Sequence, residues 1–205
     1  MKDLLREILD NQPAGARRSV LREYLQARVL QALQDQKVFT TWALVGGTAL
    51  RFLFHIPRYS EDLDFSLPTP SQSLEFRSVI DRVAAVFGAE GYEIGIKAGV
   101  TAAVAGAFIR FRGLLHELEL SPYPDETISV KVEIDTNPPA GAGTTTTVIR
   151  RHVTVRLMHH DRQSLFAGKL HAVLTRQYTK GRDLYDLAWY LADLQTQLDL
   201  LATRS

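Results

Sequence analysis

Residues 42–66 read WALVGGTALRFLFHIPRYSEDLDFS, a sequence with signals for two strands, a turn and a helix. The apolar run at residues 42–45 predicts a short buried strand that ends at Gly46-Gly47. Residues 48–54 then have the apolar spacing of a helix, which Pro57 ends. Asp62–Ser66 alternates between polar and apolar residues, as a half-buried strand does. The predicted order is therefore strand, glycine turn, helix and strand.

The glycine turn is a predicted site for an anion. Glycines let the backbone approach a ligand closely, and the N-terminus of the following helix presents free N–H groups. Thr48 adds a hydroxyl group to this turn. A Gly-Gly-Thr sequence alone is weak evidence, because most Gly-Gly pairs form ordinary turns.

Asp62 and Asp64 strengthen the prediction because residues two apart in a strand share a face. Leu63 and Phe65 then point to the other face, into the core. Two carboxylates on one face repel each other unless a cation lies between them, and Mg²⁺ often binds carboxylates together with substrate phosphates. The alternative interpretation is a solvated strand face.

A third carboxylate is predicted in residues 131–135, which alternate in the same way. Lys131, Glu133 and Asp135 share one face of this predicted strand. If the strand runs beside Asp62 and Asp64, either Glu133 or Asp135 completes a metal site. The alternation does not choose between the two, and an exposed polar face is the other possibility.

Three charged residues near the C-terminus lie beside apolar helix stripes. Lys169, on a helix predicted over residues 162–177, either extends to solvent or binds an anion such as a triphosphate. Asp183 is explained by capping the helix predicted over residues 183–195. Asp186 lies one turn further on, where capping does not explain it, so it is the stronger functional candidate.

The remaining pattern predicts an α+β fold, with a mixed sheet flanked by helices and a helical C-terminal part. We expect one domain over residues 1–205, with a core at 1–136 and a strand plus helices at 137–205. Further helices are predicted over residues 17–36 and 74–87. Further strands are predicted over residues 92–97, 103–112, 127–136 and 147–157.

Composition excludes several classes of protein. The 205 residues are 45% hydrophobic and 23% charged, which is typical of a folded soluble protein. The absence of cysteine excludes disulfide scaffolds, cysteine–zinc sites and cysteine nucleophiles. No apolar run approaches the ~20 residues of a membrane span, and the N-terminus lacks the apolar region of a secretory signal. We therefore expect a cytoplasmic protein that does not contact the membrane.

The net charge of +1 conceals a division along the chain. Residues 114–137 contain six acids and one base, whereas residues 150–182 contain eight bases and one acid. Such segments either line one cleft that holds metal ions and a polyanion, or form two unrelated solvated surfaces.

Four blocks in this order resemble the AbiEii/AbiGii-type nucleotidyltransferase toxins, a family of the DNA polymerase β-like nucleotidyltransferase superfamily. The resemblance covers residues 20–195. The blocks are Gly46-Gly47-Thr48-Ala49-Leu50-Arg51, Arg58-Tyr59-Ser60-Glu61-Asp62-Leu63-Asp64-Phe65, Ala167-Gly168-Lys169-Leu170 and Arg182-Asp183-Leu184-Tyr185-Asp186-Leu187.

The resemblance implies a role for each matching residue. Asp62, Asp64 and Glu133 would hold Mg²⁺ or Mn²⁺, and Lys169 would act with Asp186, or with Asp183, in the active site. The implied nucleotide-binding residues are Gly46, Gly47, Thr48, Arg58, Ser60 and Lys169.

The resemblance also implies a reaction and partners. A nucleoside monophosphate would pass from an NTP to an acceptor, the 3′ end of tRNA, in a toxin of a toxin–antitoxin or phage-defence pair. The antitoxin would resemble a winged-helix regulator. Alternatives are transfer to a small molecule or a protein, a glycosyltransferase that uses Asp-x-Asp, and a nucleotide-binding regulator without activity.

Overall fold

The computed structural model describes residues 2–69, 75–101 and 103–202. Its helices follow the predicted ones closely, with an additional helix at the start of the described chain and a single helical turn after Gly113. The helices are α1 (Lys2–Asp10), α2 (Ala14–Asp35), α3 (Gly46–Phe54), α4 (Phe76–Ala89), α5 (Leu114–Glu117), α6 (Arg162–Thr175) and α7 (Gly181–Ala202). None of the helices in the described ranges is long and apolar enough to cross a bilayer.

One seven-stranded sheet has the order β3-β4-β5-β2-β1-β7-β6. Its strands are β1 (Ala43–Val45), β2 (Asp62–Ser66), β3 (Glu93–Val100), β4 (Val104–Arg112), β5 (Ile128–Asp135), β6 (Thr144–Arg151) and β7 (Val153–His160). The pairs β2–β5 and β1–β7 are parallel, and the other pairs are antiparallel. The prediction of a mixed α+β fold with helices flanking a mixed sheet is confirmed.

The strand predicted over residues 147–157 was wrong, because the chain reverses within it. β6 and β7 form an antiparallel hairpin, and His152 between them has a left-handed φ of 59°. No glycine or proline marks this reversal in the sequence. A tertiary contact holds it instead, since His152 Nε2 lies 3.0 Å from the buried carboxylate of Glu23 on α2.

The two faces of β2 have different environments, as the alternation predicted. Leu63 and Phe65 are 0% and 1% exposed. The Phe65 ring packs on Trp42, and Trp42 packs on Phe76 of α4, with ring centroids 5.7 and 6.0 Å apart. These three rings join the apolar face of β2 to α4, and the carboxylates of Asp62 and Asp64 lie on the opposite face.

Candidate active site

One pocket of about 440 Å³ brings together most of the predicted site residues. It lies over the polar face of β2 and β5, between the start of α3 and the helices α6 and α7. Its charged lining residues, six cationic and five acidic, are Arg58, Lys131, Lys169, Arg176, Lys180, Arg182, Asp62, Asp64, Glu133, Asp135 and Asp183. Such a mixture suits a polyanion bound together with a cation.

Asp64 is the carboxylate with the most perturbed environment in this pocket. Burial, followed by repulsion from Asp62 and Glu133, raises the pKa of Asp64 to about 6. The parallel register places Glu133 directly opposite Asp64 on the neighbouring strand. The concentrated negative charge on this face therefore favours a bound cation.

The structure separates the two predicted third carboxylates. Asp135 lies opposite Ser66, and its Oδ1 accepts a hydrogen bond of 2.9 Å from the backbone N–H of Asn137. Glu133 is the nearer neighbour of Asp64 and raises its pKa, while Lys131 Nζ lies 2.7 Å from Glu133 Oε2. These contacts favour Glu133, whose role as a metal ligand stays a prediction.

The carboxylates of Asp62 and Asp64 fit an ion that is shared with a substrate. Among the residues that the structure describes, no three His, Asp or Glu side chains form a metal-binding group on their own. Mg²⁺ commonly binds only one or two protein carboxylates and completes its shell with water and phosphate oxygens. A Mg²⁺ ion that binds together with a nucleotide therefore matches this pair of oxygen donors.

Both glycines at the start of α3 lie in close packing. Gly46 has a φ of 74°, and a Cβ atom there would lie 2.5 Å from Asp64 Oδ2. A Cβ atom on Gly47 would lie 2.8 Å from both Arg58 Nη2 and Ser60 Oγ. The backbone at the start of α3 thus lies directly against Asp64, Arg58 and Ser60, where its N–H groups can meet an anion.

Thr48 occupies a different place from the one predicted. Its side chain is fully buried, and its hydroxyl donates a hydrogen bond to the carbonyl oxygen of Asp62. This contact fixes α3 against β2. In the described geometry Thr48 thus positions Asp62, and its predicted contact with a nucleotide stays a prediction.

Lys169 is held by two buried carboxylates and does not extend to solvent. Its Nζ lies 3.0 Å from Asp183 Oδ1 and 2.9 Å from Asp186 Oδ2, and the side chain is 12% exposed. Asp186, which is 0% exposed, also accepts two hydrogen bonds from the guanidinium of Arg58, the Nε bond being 2.6 Å long. Asp186 therefore positions Lys169 and Arg58 from behind the pocket wall.

Asp183 lies in the first turn of α7, which begins at Gly181, so the capping explanation for Asp183 was wrong. Its carboxylate pairs with Lys169 and with Arg176. Burial raises the pKa of Asp183, but the hydrogen bond and charge of Lys169 and the charge of Arg176 outweigh burial and lower it. Asp183 is thus ionised in the pocket wall and joins α6 to α7.

The acidic and basic segments meet only in part. Glu133 and Asp135 line the pocket together with the bases of residues 169–182. Arg151, in contrast, lies at the other end of the β6–β7 hairpin, about 23 Å along β7 from the pocket, and bonds to Glu23. The basic segment therefore does not form one continuous surface beside the carboxylates.

Two pocket residues, Ser66 and His160, were not predicted. Ser66 continues the alternation of Asp62 and Asp64 on β2, a signal that the sequence does contain. His160 ends β7, and Asp161 caps α6 by accepting a 2.8 Å hydrogen bond from the Ser164 N–H. Nothing in the sequence predicts that β7 pairs with β1 and brings His160 to the pocket.

Two solved structures from Helicobacter pylori have a similar fold. JHP933 is 22% identical with a TM-score of 0.52, and the match covers 83% of this chain and 65% of JHP933. A candidate nucleotidyltransferase is 22% identical with a TM-score of 0.53, and the match covers 83% of this chain and 67% of that one. This chain therefore spans about two thirds of the length of either protein.

Sequence comparison matches the chain to a known family. The family model described as nucleotidyl transferase AbiEii toxin, type IV toxin–antitoxin system, matches residues 28–204. No curated protein matches the chain. The family match includes every block of residues that forms the pocket.

Proposed function

The chain belongs to the family of AbiEii nucleotidyltransferase toxins of type IV toxin–antitoxin systems, and we propose that it moves a nucleoside monophosphate from an NTP to a hydroxyl group. The acceptor oxygen attacks the α-phosphorus, the bond to the bridging oxygen breaks, and pyrophosphate leaves. One observation carries this proposal: the glycine turn of α3 lies directly against Asp64 in a pocket that Lys169 and Arg58 also line. The fold we propose is the polymerase β-like one.

We assign the phosphates to the start of α3. The N–H groups of Gly46 and Gly47 would bind phosphate oxygens, with Arg58, Ser60 and Lys169 beside them. Asp62 and Asp64 would hold Mg²⁺, with Glu133 as the third carboxylate. When bound, Mg²⁺ stabilises the charge on the attacking and leaving oxygens of an in-line displacement.

The test of this proposal is incubation of the protein with each labelled NTP, Mg²⁺ and total tRNA. We expect label in tRNA and release of pyrophosphate, both lost when EDTA removes the metal. Label in a protein or a small molecule would assign a different acceptor. Nucleotide binding without any transfer would contradict the enzymatic proposal and favour a regulator.

We propose the 3′ end of tRNA as the acceptor because of the bases at the pocket rim. Arg176, Lys180 and Arg182 are exposed and line the pocket, and the exposed ring of Tyr178 lies between them in sequence. Cationic side chains bind RNA phosphates, and aromatic rings stack on unpaired bases. A single-stranded 3′ end offers both groups.

The salt dependence of tRNA binding measures the contribution of these three bases. Replacing Arg176, Lys180 and Arg182 together by Ala should lower tRNA affinity and reduce the slope of log affinity against log salt by about 2–3. The control replaces the exposed Arg77 and Arg82 of α4, on the other side of the sheet, and should leave the slope nearly unchanged. An unchanged slope in the triple variant would contradict the RNA acceptor.

Membership of the family implies a cognate antitoxin. We propose a partner of the winged-helix regulator type, and a cytoplasmic place of action, where NTPs and tRNA occur. The toxin proposal predicts that expression of the chain alone arrests growth and that the Asp64→Asn variant does not.

A further inference from the structure

A small side pocket of about 150 Å³ adjoins the carboxylate site. It shares Ser66, Pro138, Pro139 and His160 with the main pocket, so the two pockets are neighbours. Every lining residue of the side pocket within the described ranges is uncharged, including Asn137 and the small residues 140–142. This composition contrasts with the eleven charged residues of the main pocket.

Two buried polar atoms lie at the junction of the pockets. Ser66 is 3% exposed, and neither its Oγ nor His160 Nε2 has a hydrogen-bond partner among the described residues. Leaving a buried polar atom without a partner is unfavourable. Ser66 is two residues beyond Asp64 on the same face of β2, so these atoms lie on the wall beside the carboxylates.

The side pocket suits a neutral ring better than a phosphate or a metal ion. Burial lowers the pKa of His160, which keeps the imidazole neutral near pH 7. A neutral imidazole nitrogen donates or accepts according to its tautomer, and a serine hydroxyl does both. Two adjacent prolines supply a rigid apolar surface, and the cavity is small beside the ~300–1,000 Å³ of pockets for whole drug-sized ligands.

We propose that the side pocket holds a nucleobase, whose hydrogen-bonding edge meets Ser66 Oγ and His160 Nε2 while its ring lies against Pro138 and Pro139. This inference rests on the proposed function, because it names the base selectivity of that same site. The base belongs either to the NTP or to the last nucleotide of the acceptor. Both offer the same chemistry, and the experiment below distinguishes them.

The first arm measures affinities for the four NTPs and for inorganic tripolyphosphate, each with Mg²⁺. The variants are Ser66→Ala and His160→Phe, which keeps a ring and removes the nitrogens. Ser129→Ala, at the other end of β5 and outside both pockets, is the matched control. If the NTP base occupies the pocket, each variant weakens the preferred NTP by about three- to tenfold, the range for one neutral hydrogen bond. Tripolyphosphate affinity stays unchanged.

The second arm measures transfer to short RNAs that differ only in their 3′-terminal base, with the same variants. If the acceptor base occupies the pocket, preference among the RNAs falls by the same factor while NTP affinities stay unchanged. Either result supports the inference. If the preferences among NTPs and among RNAs stay unchanged in both arms while tripolyphosphate still binds, the nucleobase inference is overturned and the proposed function is not. A wild-type protein that binds neither tripolyphosphate nor any NTP would overturn the proposed function as well.

Discussion

Replacing Asp64 by Asn should lower transfer by at least about 10²–10³-fold, since even the outer partners of metal ligands contribute about 10–100-fold. Asn keeps the size of the side chain but removes the negative charge that holds Mg²⁺. Asp64 is also the residue against which the Gly46 backbone is packed. The measurement is single-turnover transfer from a labelled NTP at saturating Mg²⁺.

The same substitution should make the metal-free protein more stable. Burial, with repulsion from Asp62 and Glu133, raises the pKa of Asp64 from 3.8 to about 6. A carboxyl group whose pKa is higher in the folded state than in the unfolded state favours unfolding once it is ionised. This destabilising effect grows as the pH rises from the ordinary pKa of the group to its pKa in the folded protein. At pH 7.5 the Asn variant should therefore gain about 1–3 kcal/mol in the free energy of unfolding.

Denaturant unfolding in EDTA at several pH values tests this sign. The difference between variant and wild type should be largest at pH 7.5, should shrink as the pH falls below 6, and should disappear below about pH 3, where Asp64 is protonated in both the folded and the unfolded state. Asp81→Asn on exposed α4 is the matched control and should change neither activity nor the pH profile of stability. Near wild-type turnover in Asp64→Asn would remove Asp64 from the metal site.

The central part of the site is predictable because it depends on local periodicity. Alternation alone places Asp62 and Asp64 on one face of β2, since Leu63 and Phe65 must enter the core. The glycine turn is likewise a local signal. These residues lie within one short stretch of chain, so neighbouring elements hardly affect which way their side chains point.

The choice of the third carboxylate is different because it depends on register between distant strands. Glu133 and Asp135 have the same periodicity, and only the parallel pairing of β2 with β5 places Glu133 opposite Asp64. That pairing joins segments far apart in sequence. Ser66 and His160 meet at one pocket for the same kind of reason, through the sheet order and not through a motif.

The interpretations that failed or changed depended on partners that the sequence does not reveal. The sequence left two interpretations of Lys169, extension to solvent or binding of an anion, and the carboxylates of Asp183 and Asp186 beside it rule out the first. His152 adopts its left-handed turn against Glu23, on a helix far away in the sequence. In each case a buried carboxylate, supplied by another element, determines the outcome.

Replacing Asp186 by Ala should destabilise the protein by about 3–5 kcal/mol, the usual effect of removing one partner of a buried ion pair. Asp186 is 0% exposed and compensates Arg58 and Lys169, whose side chains are 17% and 12% exposed. Without Asp186, Arg58 loses its carboxylate partner in a poorly solvated wall, and Lys169 keeps only Asp183. Transfer should also fall, because Arg58 and Lys169 would no longer be held at the pocket.

A double-mutant cycle separates this electrostatic role from simple packing. Lys169→Met removes the charge but keeps most of the apolar stem, and alone it should also destabilise the fold, because Asp183 and Asp186 lose a partner. Combined with Asp186→Ala it should cost less than the sum of the single changes, because the double variant lacks the Lys169 charge that Asp186→Ala leaves with only one of its two carboxylate partners. The matched surface cycle, Arg77→Ala with Asp81→Ala, should show a coupling below about 1 kcal/mol. The measurement is the free energy of unfolding in urea. If the effects of Asp186→Ala and Lys169→Met on this free energy add exactly, the charge coupling between the two residues is contradicted, because coupled buried charges cannot contribute independently.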